Sequence, residues 1–216
     1  MAMTEELVRL GKALADRQLV AGAAGNISIR DETGTIYITA RGARLDAIAA
    51  EDIACICTDG STTGRKAPTS EHLIHTSMYK AFPDIRVVAH THSPYATAAA
   101  VLRQNIPPIV DEMTILLGGG LSVAAYGAPG SAELAQNAVE AMGDKRAVLL
   151  ANHGAVIAAE NVEEAVKLAE LCEHVAQVFL AARAAGTVYA IPADAFEKQR
   201  GIYLKKTGRG GEKNDG

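Results

Sequence analysis

Apolar and polar positions alternate with two different periods along this chain. In "TEELVRLGKALADRQLV", residues 4–20, Leu7, Leu10, Leu14 and Val20 recur at roughly helical spacing, which predicts an amphipathic helix stopped by Gly22 and the Ala-Gly-Asn turn after it. Three β-branched runs follow, "NISIRD", "GTIYITA" and "DIACICT", divided by Gly and Asp turn residues, and they predict adjacent antiparallel strands. "DGSTTGRKAPTS" reads as a polar loop. "SEHLIHTSMYKAF" predicts a helix with Ser70 as its N-cap, apolar residues at 73, 74 and 78, and an end before Pro83.

A buried strand, "IRVVAH", is predicted next, and Ser93 with Pro94 supplies the N-cap and first turn of an alanine-rich helix over 94–103. "ELAQNAVEAM" continues as a helix and "RAVLLAN" as an apolar strand. A long helix closes the pattern, with Asn161 and Glu164 at capping-box spacing and apolar positions repeating to about residue 185. The expected architecture is α/β: one domain over 1–204, a mixed sheet covered by helices, and a disordered glycine-rich tail over 205–216.

Composition narrows this picture. With 216 residues, 49% of them hydrophobic, one domain can bury a sizeable core. Lys and Arg total 21 against 25 Asp and Glu, so no net positive field favours nucleic acid, and any phosphate recognition is expected to be local. The apolar segments are short and interrupted by charge, so no membrane span is expected. Glu5, Glu6 and Arg9 stand where a signal peptide would need an apolar run, which argues against export. Three cysteines without a C-x-x-C pair read as reduced thiols of a cytoplasmic protein.

The chemistry gathers where strands end. In "VVAHTHSPYATAAA", residues 87–100, strand alternation points His90 and His92 to the same side, where they can grip one ion. Such a pair by itself fits a polar loop as well as a metal site. "AVLLANHGAVI" repeats the situation with His153, which taken alone reads as a turn histidine. If the two strand ends are neighbours, three neutral imidazoles meet and leave an open position on Zn²⁺. Glu71 heads a helix, where the dipole favours a carboxylate; near a metal it becomes a candidate fourth ligand that lets go and then acts as a general base. His72, His75 and His174 lie on predicted helices without a partner set and read as surface or packing residues. "AGNIS" at 24–28, "TARG" at 39–42 and "PTS" at 68–70 each read as ordinary turns, yet together they suggest a phosphate pocket built from glycine backbone and neutral donors.

The ordered set "GNIS", "ITARG", "PTSEH", "VVAHTHSPYATA", the glycines at 118 and 119, and "LLANHG" resembles the class II aldolase and adducin family over about residues 5–190. The likeness is greatest to its sugar-phosphate aldolases of the L-fuculose 1-phosphate kind. The resemblance implies a single three-layer α/β/α domain with a central, mainly antiparallel sheet, assembled as a homotetramer with sites between subunits. It places zinc, or alternatively Mn²⁺ or Co²⁺, on His90, His92 and His153, a catalytic glutamate on Glu71, and phosphate on Gly25, Asn26, Gly42, Thr69 and Ser70. The implied reaction splits a small ketose 1-phosphate into dihydroxyacetone phosphate and an aldehyde by way of an enediolate.

This chain departs from that pattern at two places. Arg41-Gly42 stands where the aldolases carry Thr-Gly or Ser-Gly, which strengthens the anion pocket or admits a carboxylate. "DEMTILLGGG" offers Asp111 and Glu112 in place of a catalytic tyrosine; Glu112 then matches the acid/base of a related methylthioribulose-1-phosphate dehydratase, or is a solvated turn acid. Tyr203 loosely matches a tyrosine lent to a neighbouring subunit, or is a surface residue. Dehydration, 4-epimerisation and decarboxylation therefore stay open within the fold. A non-catalytic adducin-like module is the alternative of another class, and the three histidines argue against it. The Asp that a metal-dependent hydrolase would place soon after its H-x-H pair is missing.

Overall fold

Alternation in the short strands determines which residues face which layer of helices. The structure, a computed structural model, describes residues 3–209. In chain order the elements are α1 (Met3–Asp16), β1 (Asn26–Arg30), β2 (Ile36–Thr39), β3 (Ile53–Ile56), β4 (Thr62–Thr63), α2 (His72–Ala81), β5 (Val87–Thr91) and α3 (Pro94–Val101). There follow β6 (Val123–Ala124), α4 (Ala132–Met142), β7 (Ala147–Leu150), β8 (Gly154–Ala159), α5 (Val162–Ala185) and α6 (Ala193–Thr207).

The strands form one sheet of order β4-β3-β2-β1-β5-β8-β7-β6. All pairs are antiparallel except β6 with β7. Ile27, Ile29, Val87, Ala89, Ala155 and Ile157 pack to one side with α1, α3 and α5. Val88, Val148, Leu150, Val156 and Ala158 pack to the other with α2 and α4. The expected three-layer α/β arrangement with a mainly antiparallel sheet is what the chain adopts.

The ends of several elements differ from the sequence reading. α1 stops at Asp16 because Gln18 turns into the left-handed region (φ 58) and Leu19 N–H bonds back to Leu14. The polar loop after β3 contributes β4. Glu71, not Ser70, is the N-cap of α2. At α3, Ser93 holds the N-cap position without a side-chain bond; the Glu173 carboxylate of α5 accepts the N–H groups of Tyr95 and Ala96 at 2.9 and 2.8 Å. Asn161 caps α5 as expected, accepting from Glu164 N–H at 2.8 Å, but the Glu164 carboxylate returns to Glu160 N–H, one residue earlier than a capping box requires.

The largest correction lies at the C-terminal end. α6 runs through Thr207, and Arg209 pairs with Asp84 at 3.0 Å, so ordered chain continues past the expected boundary at 204. Residues 210–216 of the expected tail lie outside the described residues. α6 packs on a π-helical turn over Met113–Leu117. Gly118 makes that contact possible: it has φ 89, and a Cβ there would lie 2.6 Å from the Tyr203 ring. Among the described residues, no helix is long and apolar enough to cross a membrane.

Candidate active site and metal centre

Register brings the chemical residues to one end of the sheet. β1 and β5 pair with Asn26 opposite His90, so β1 presents an amide where β5 presents its first imidazole. On the other flank β8 begins directly after His153, pairing Ala155 with Thr91. Gly154 allows that approach, since a Cβ there would stand 2.3 Å from the Thr91 carbonyl oxygen. α2 then places Glu71 over the same strand ends.

The imidazoles of His90, His92 and His153 surround a common point, with ring centroids 4.6, 4.7 and 4.9 Å apart. One ligand atom from each of these and from Glu71 lies within 4.8 Å of every other. Glu71 Oε2 is 3.4 Å from His90 Nε2, and Oε1 is 3.3 Å from His153 Nε2. His90 Nδ1 faces the Ala155 carbonyl at 2.9 Å, so the proton resides on Nδ1 and the Nε2 lone pair points into the cluster. His92 Nε2 approaches that same nitrogen at 2.8 Å, a distance that calls for a shared proton or a shared cation.

Glu71 Oε1 is buried with no hydrogen-bond partner. A bare carboxylate oxygen among three imidazoles is a donor set that fits a divalent cation. Burial pushes the Glu71 carboxyl upward, but the contact with His90, the Asn26 amide and His153 outweigh it and bring it down to about 2. Burial lowers His92 to about 4, reinforced by His90 and His153. His153 is lowered by burial and then by His90, with Glu71 opposing. At neutral pH the carboxylate is thus ionised and these two rings are neutral, the forms a metal ion requires.

Beside the cluster lies a cavity of 280 Å³, with Gly25, Asn26, Arg41, Gly42, Thr69 and Ser70 on its walls and Glu71, His92 and His153 at its inner end. Gly25 (φ 92) and Gly42 (φ 77) are in the left-handed region, which gives the cavity turns lined by backbone. Thr69 is buried and accepts Glu71 N–H at 3.3 Å through its hydroxyl; Arg41 and Ser70 are exposed. Ala24 and Ala40, from the quoted turn stretches, and Ala23, Ala43 and Pro129, which lie outside them, complete the lining. Their side chains carry no chemistry that a motif search would register.

The remaining expectations fall elsewhere. His75 is not on the surface but fully buried, between Asn26 and Ser28. His72 is half-buried beside the Thr69 carbonyl, and His174 is exposed. Glu112 is exposed before the π turn and lies outside the cluster. Tyr203 is not a surface residue within the chain: its ring is buried under α6 and its hydroxyl donates to the Asp144 carbonyl at 2.7 Å.

Comparison with known proteins agrees with this arrangement. Residues 5–180 match the family described as the class II aldolase and adducin N-terminal domain. The chain is 36% identical over 195 residues to a 5-deoxy-D-ribulose 1-phosphate aldolase of Bacillus thuringiensis, covering 89% of this chain and 91% of that protein. It is 30% identical to a 3-oxo-tetronate 4-phosphate decarboxylase of Haemophilus influenzae, covering 83% and 87%. A solved L-fuculose 1-phosphate aldolase superposes with a TM-score of 0.88 at 33% identity, over 93% of this chain and 95% of that one. The chain belongs to the class II aldolase and adducin family and is one of its enzymes.

Proposed function

We propose that the protein is a zinc-dependent aldolase that reversibly cleaves a small ketose 1-phosphate to dihydroxyacetone phosphate and a short aldehyde. One observation carries the reading: the unpartnered Glu71 Oε1 stands among three imidazoles beside a cavity lined by Gly25, Asn26, Arg41, Gly42, Thr69 and Ser70. The phosphate sits among the Gly25 and Gly42 turns, Asn26 and the Thr69 and Ser70 hydroxyls, with the Arg41 guanidinium adding charge. This anchoring directs the carbonyl end of the substrate toward His90, His92 and His153. A divalent ion bound to those three residues supplies a Lewis acid for the negative charge that develops on the substrate's oxygens. Zinc suits the imidazole set best, and Mn²⁺ or Co²⁺ would also fit.

Cleavage moves the proton of the C4 hydroxyl onto the ionised Glu71 carboxylate and breaks the C3–C4 bond, releasing the aldehyde and leaving the electron pair on the three-carbon fragment as an enediolate. Glu71 returns a proton to C3 of that fragment, which gives dihydroxyacetone phosphate. The relatives' names support two substrates of the right size: 5-deoxyribulose 1-phosphate, yielding acetaldehyde, and L-fuculose 1-phosphate, yielding lactaldehyde. The enzyme is further proposed to be a cytoplasmic homotetramer, in keeping with its three unpaired cysteines, in which the exposed Glu112 serves the cavity of a neighbouring subunit.

Arg41 favours one second reading. A guanidinium in the cavity can hold a carboxylate, as decarboxylation of a phosphorylated keto acid requires, and a decarboxylase is among the relatives. Zinc-loaded protein incubated with dihydroxyacetone phosphate and acetaldehyde or lactaldehyde should yield a ketose phosphate detectable by mass. No condensation with any aldehyde, together with carbon dioxide release from 3-oxo-tetronate 4-phosphate, would replace the aldolase reading with the decarboxylase.

A further inference from the structure

Behind Glu71, buried polar side chains form a single hydrogen-bonded line whose direction is fixed link by link. Asn26 Nδ2 donates to Glu71 Oε2 at 2.9 Å. With its nitrogen turned to the carboxylate, which only accepts, the amide must turn its oxygen toward His75 Nε2, 2.6 Å away. Nε2 therefore carries the proton. The neutral ring offers Nδ1 as an acceptor, and Ser28 Oγ stands 2.7 Å from it as the donor. With the Ser28 proton committed to the ring, the Tyr79 hydroxyl, 2.9 Å from Ser28 Oγ and 3.2 Å from the Arg86 carbonyl, donates along the shorter contact to Ser28 and closes the far end. Asn26, His75, Ser28 and Tyr79 are all buried, so water does not substitute for any of these partners at will.

The geometry follows from two periodicities meeting across the interface between α2 and the sheet. Glu71 and His75 are one helical turn apart, and Asn26 and Ser28 share one face of β1. Each strand residue thereby meets a turn of the helix. If the Asn26 amide rotated end for end, its carbonyl oxygen would face the carboxylate at the same short distance, and the two oxygens would repel.

We infer that His75 is a positioning residue: in its Nε2–H tautomer it locks the Asn26 amide so that Glu71 is held by Oε2 alone, leaving Oε1 free for the chemistry. This rests on the proposed role of Glu71 as the proton carrier. His75 touches neither the cavity nor the histidine cluster, and its effect passes entirely through Asn26. The strong lowering of its ring basicity to about 3, caused first by burial, agrees with a permanently neutral imidazole.

Nitrogen NMR of the full chain with ¹⁵N-labelled histidine tests the tautomer directly. His75 should be Nε2–H at pH 7 with and without zinc; the Nδ1–H form or an imidazolium would overturn the inference, and no variant needs to fold for this result. The catalytic arm follows deuterium exchange from D₂O into dihydroxyacetone phosphate by zinc-loaded protein. His75→Leu should lower kcat about 10- to 100-fold with KM changed less than about threefold. His75→Gln, whose amide can donate to Asn26 and accept from Ser28, should recover most of that loss. A leucine variant exchanging at the wild-type rate, or a glutamine variant as impaired as leucine, would overturn the positioning role. Wild-type protein without exchange would count against the aldolase reading, while the tautomer still decides the direction of the line.

Discussion

At the residue scale, the centre depends on one carboxylate with two unequal oxygens, Oε2 engaged by Asn26 and Oε1 without a partner. Glu71→Gln keeps the size and the bond to Asn26 but cannot carry a proton, so turnover should fall about 10²- to 10⁴-fold in a folded protein. Steady-state rates beside a circular-dichroism spectrum check this, and near-normal turnover would remove Glu71 from its role. His90, His92, His153 and Glu71 were legible in the sequence because alternation and the ends of elements predict where such side chains point. His75 was not, because a helical histidine shows its partners only once β1 is laid against α2. That burial also has a pH signature. The folded ring titrates near 3 against an ordinary value of 6.5, owing first to burial, then to His90 and His72, with Glu71 opposing. Between those values the unfolded chain binds the extra proton, so His75 makes stability fall as pH drops below 6.5, by at most about 1.4 kcal/mol per pH unit. His75→Gln should therefore lose less stability than wild type between pH 7 and pH 5 in urea titrations; equal losses would contradict the assignment.

At the element scale, the site depends on how closely β8 starts beside β5. A methyl group at Gly154 would meet the Thr91 carbonyl at 2.3 Å, so Gly154→Ala must widen this pair next to His153. The expected cost is about 1–3 kcal/mol of stability. Zinc affinity should fall by about tenfold or more, as measured by competition with a chelator. Unchanged affinity would show that the strand ends tolerate more space than the geometry implies. Most strands and five helices were legible because their apolar positions repeat. β4 and β6, two residues each, are too short to show a period, and β8, buried at every position, shows no alternation and was not predicted. α6 is mostly polar, and only Tyr203 along it is buried, so no apolar stripe announces it. Tyr203→Phe removes the bond to Asp144 and should cost about 0.5–1.5 kcal/mol in thermal or urea unfolding with kcat unchanged. A large fall in kcat would restore the catalytic role expected of that tyrosine.

At the scale of the whole molecule, residues far apart in sequence, from Asn26 to His153, reach one end of a sheet because β1, β5 and β8 are neighbours. The ordered motifs made the family legible without any coordinates. They did not specify the substrate, since residues able to hold a metal and a cavity able to take an anion would serve several carbon-carbon bond cleavages alike, and Arg41 on the cavity wall would suit more than one. The central claim joins a metal held by Glu71 and three histidines to cleavage of a small ketose phosphate. The most direct measurement is release of dihydroxyacetone phosphate from 5-deoxyribulose 1-phosphate and from L-fuculose 1-phosphate, followed in zinc-loaded protein, after chelation, and after zinc is restored. Release that stops with the chelator and returns with zinc is the expected result; no release from either substrate, or release indifferent to the chelator, would contradict it.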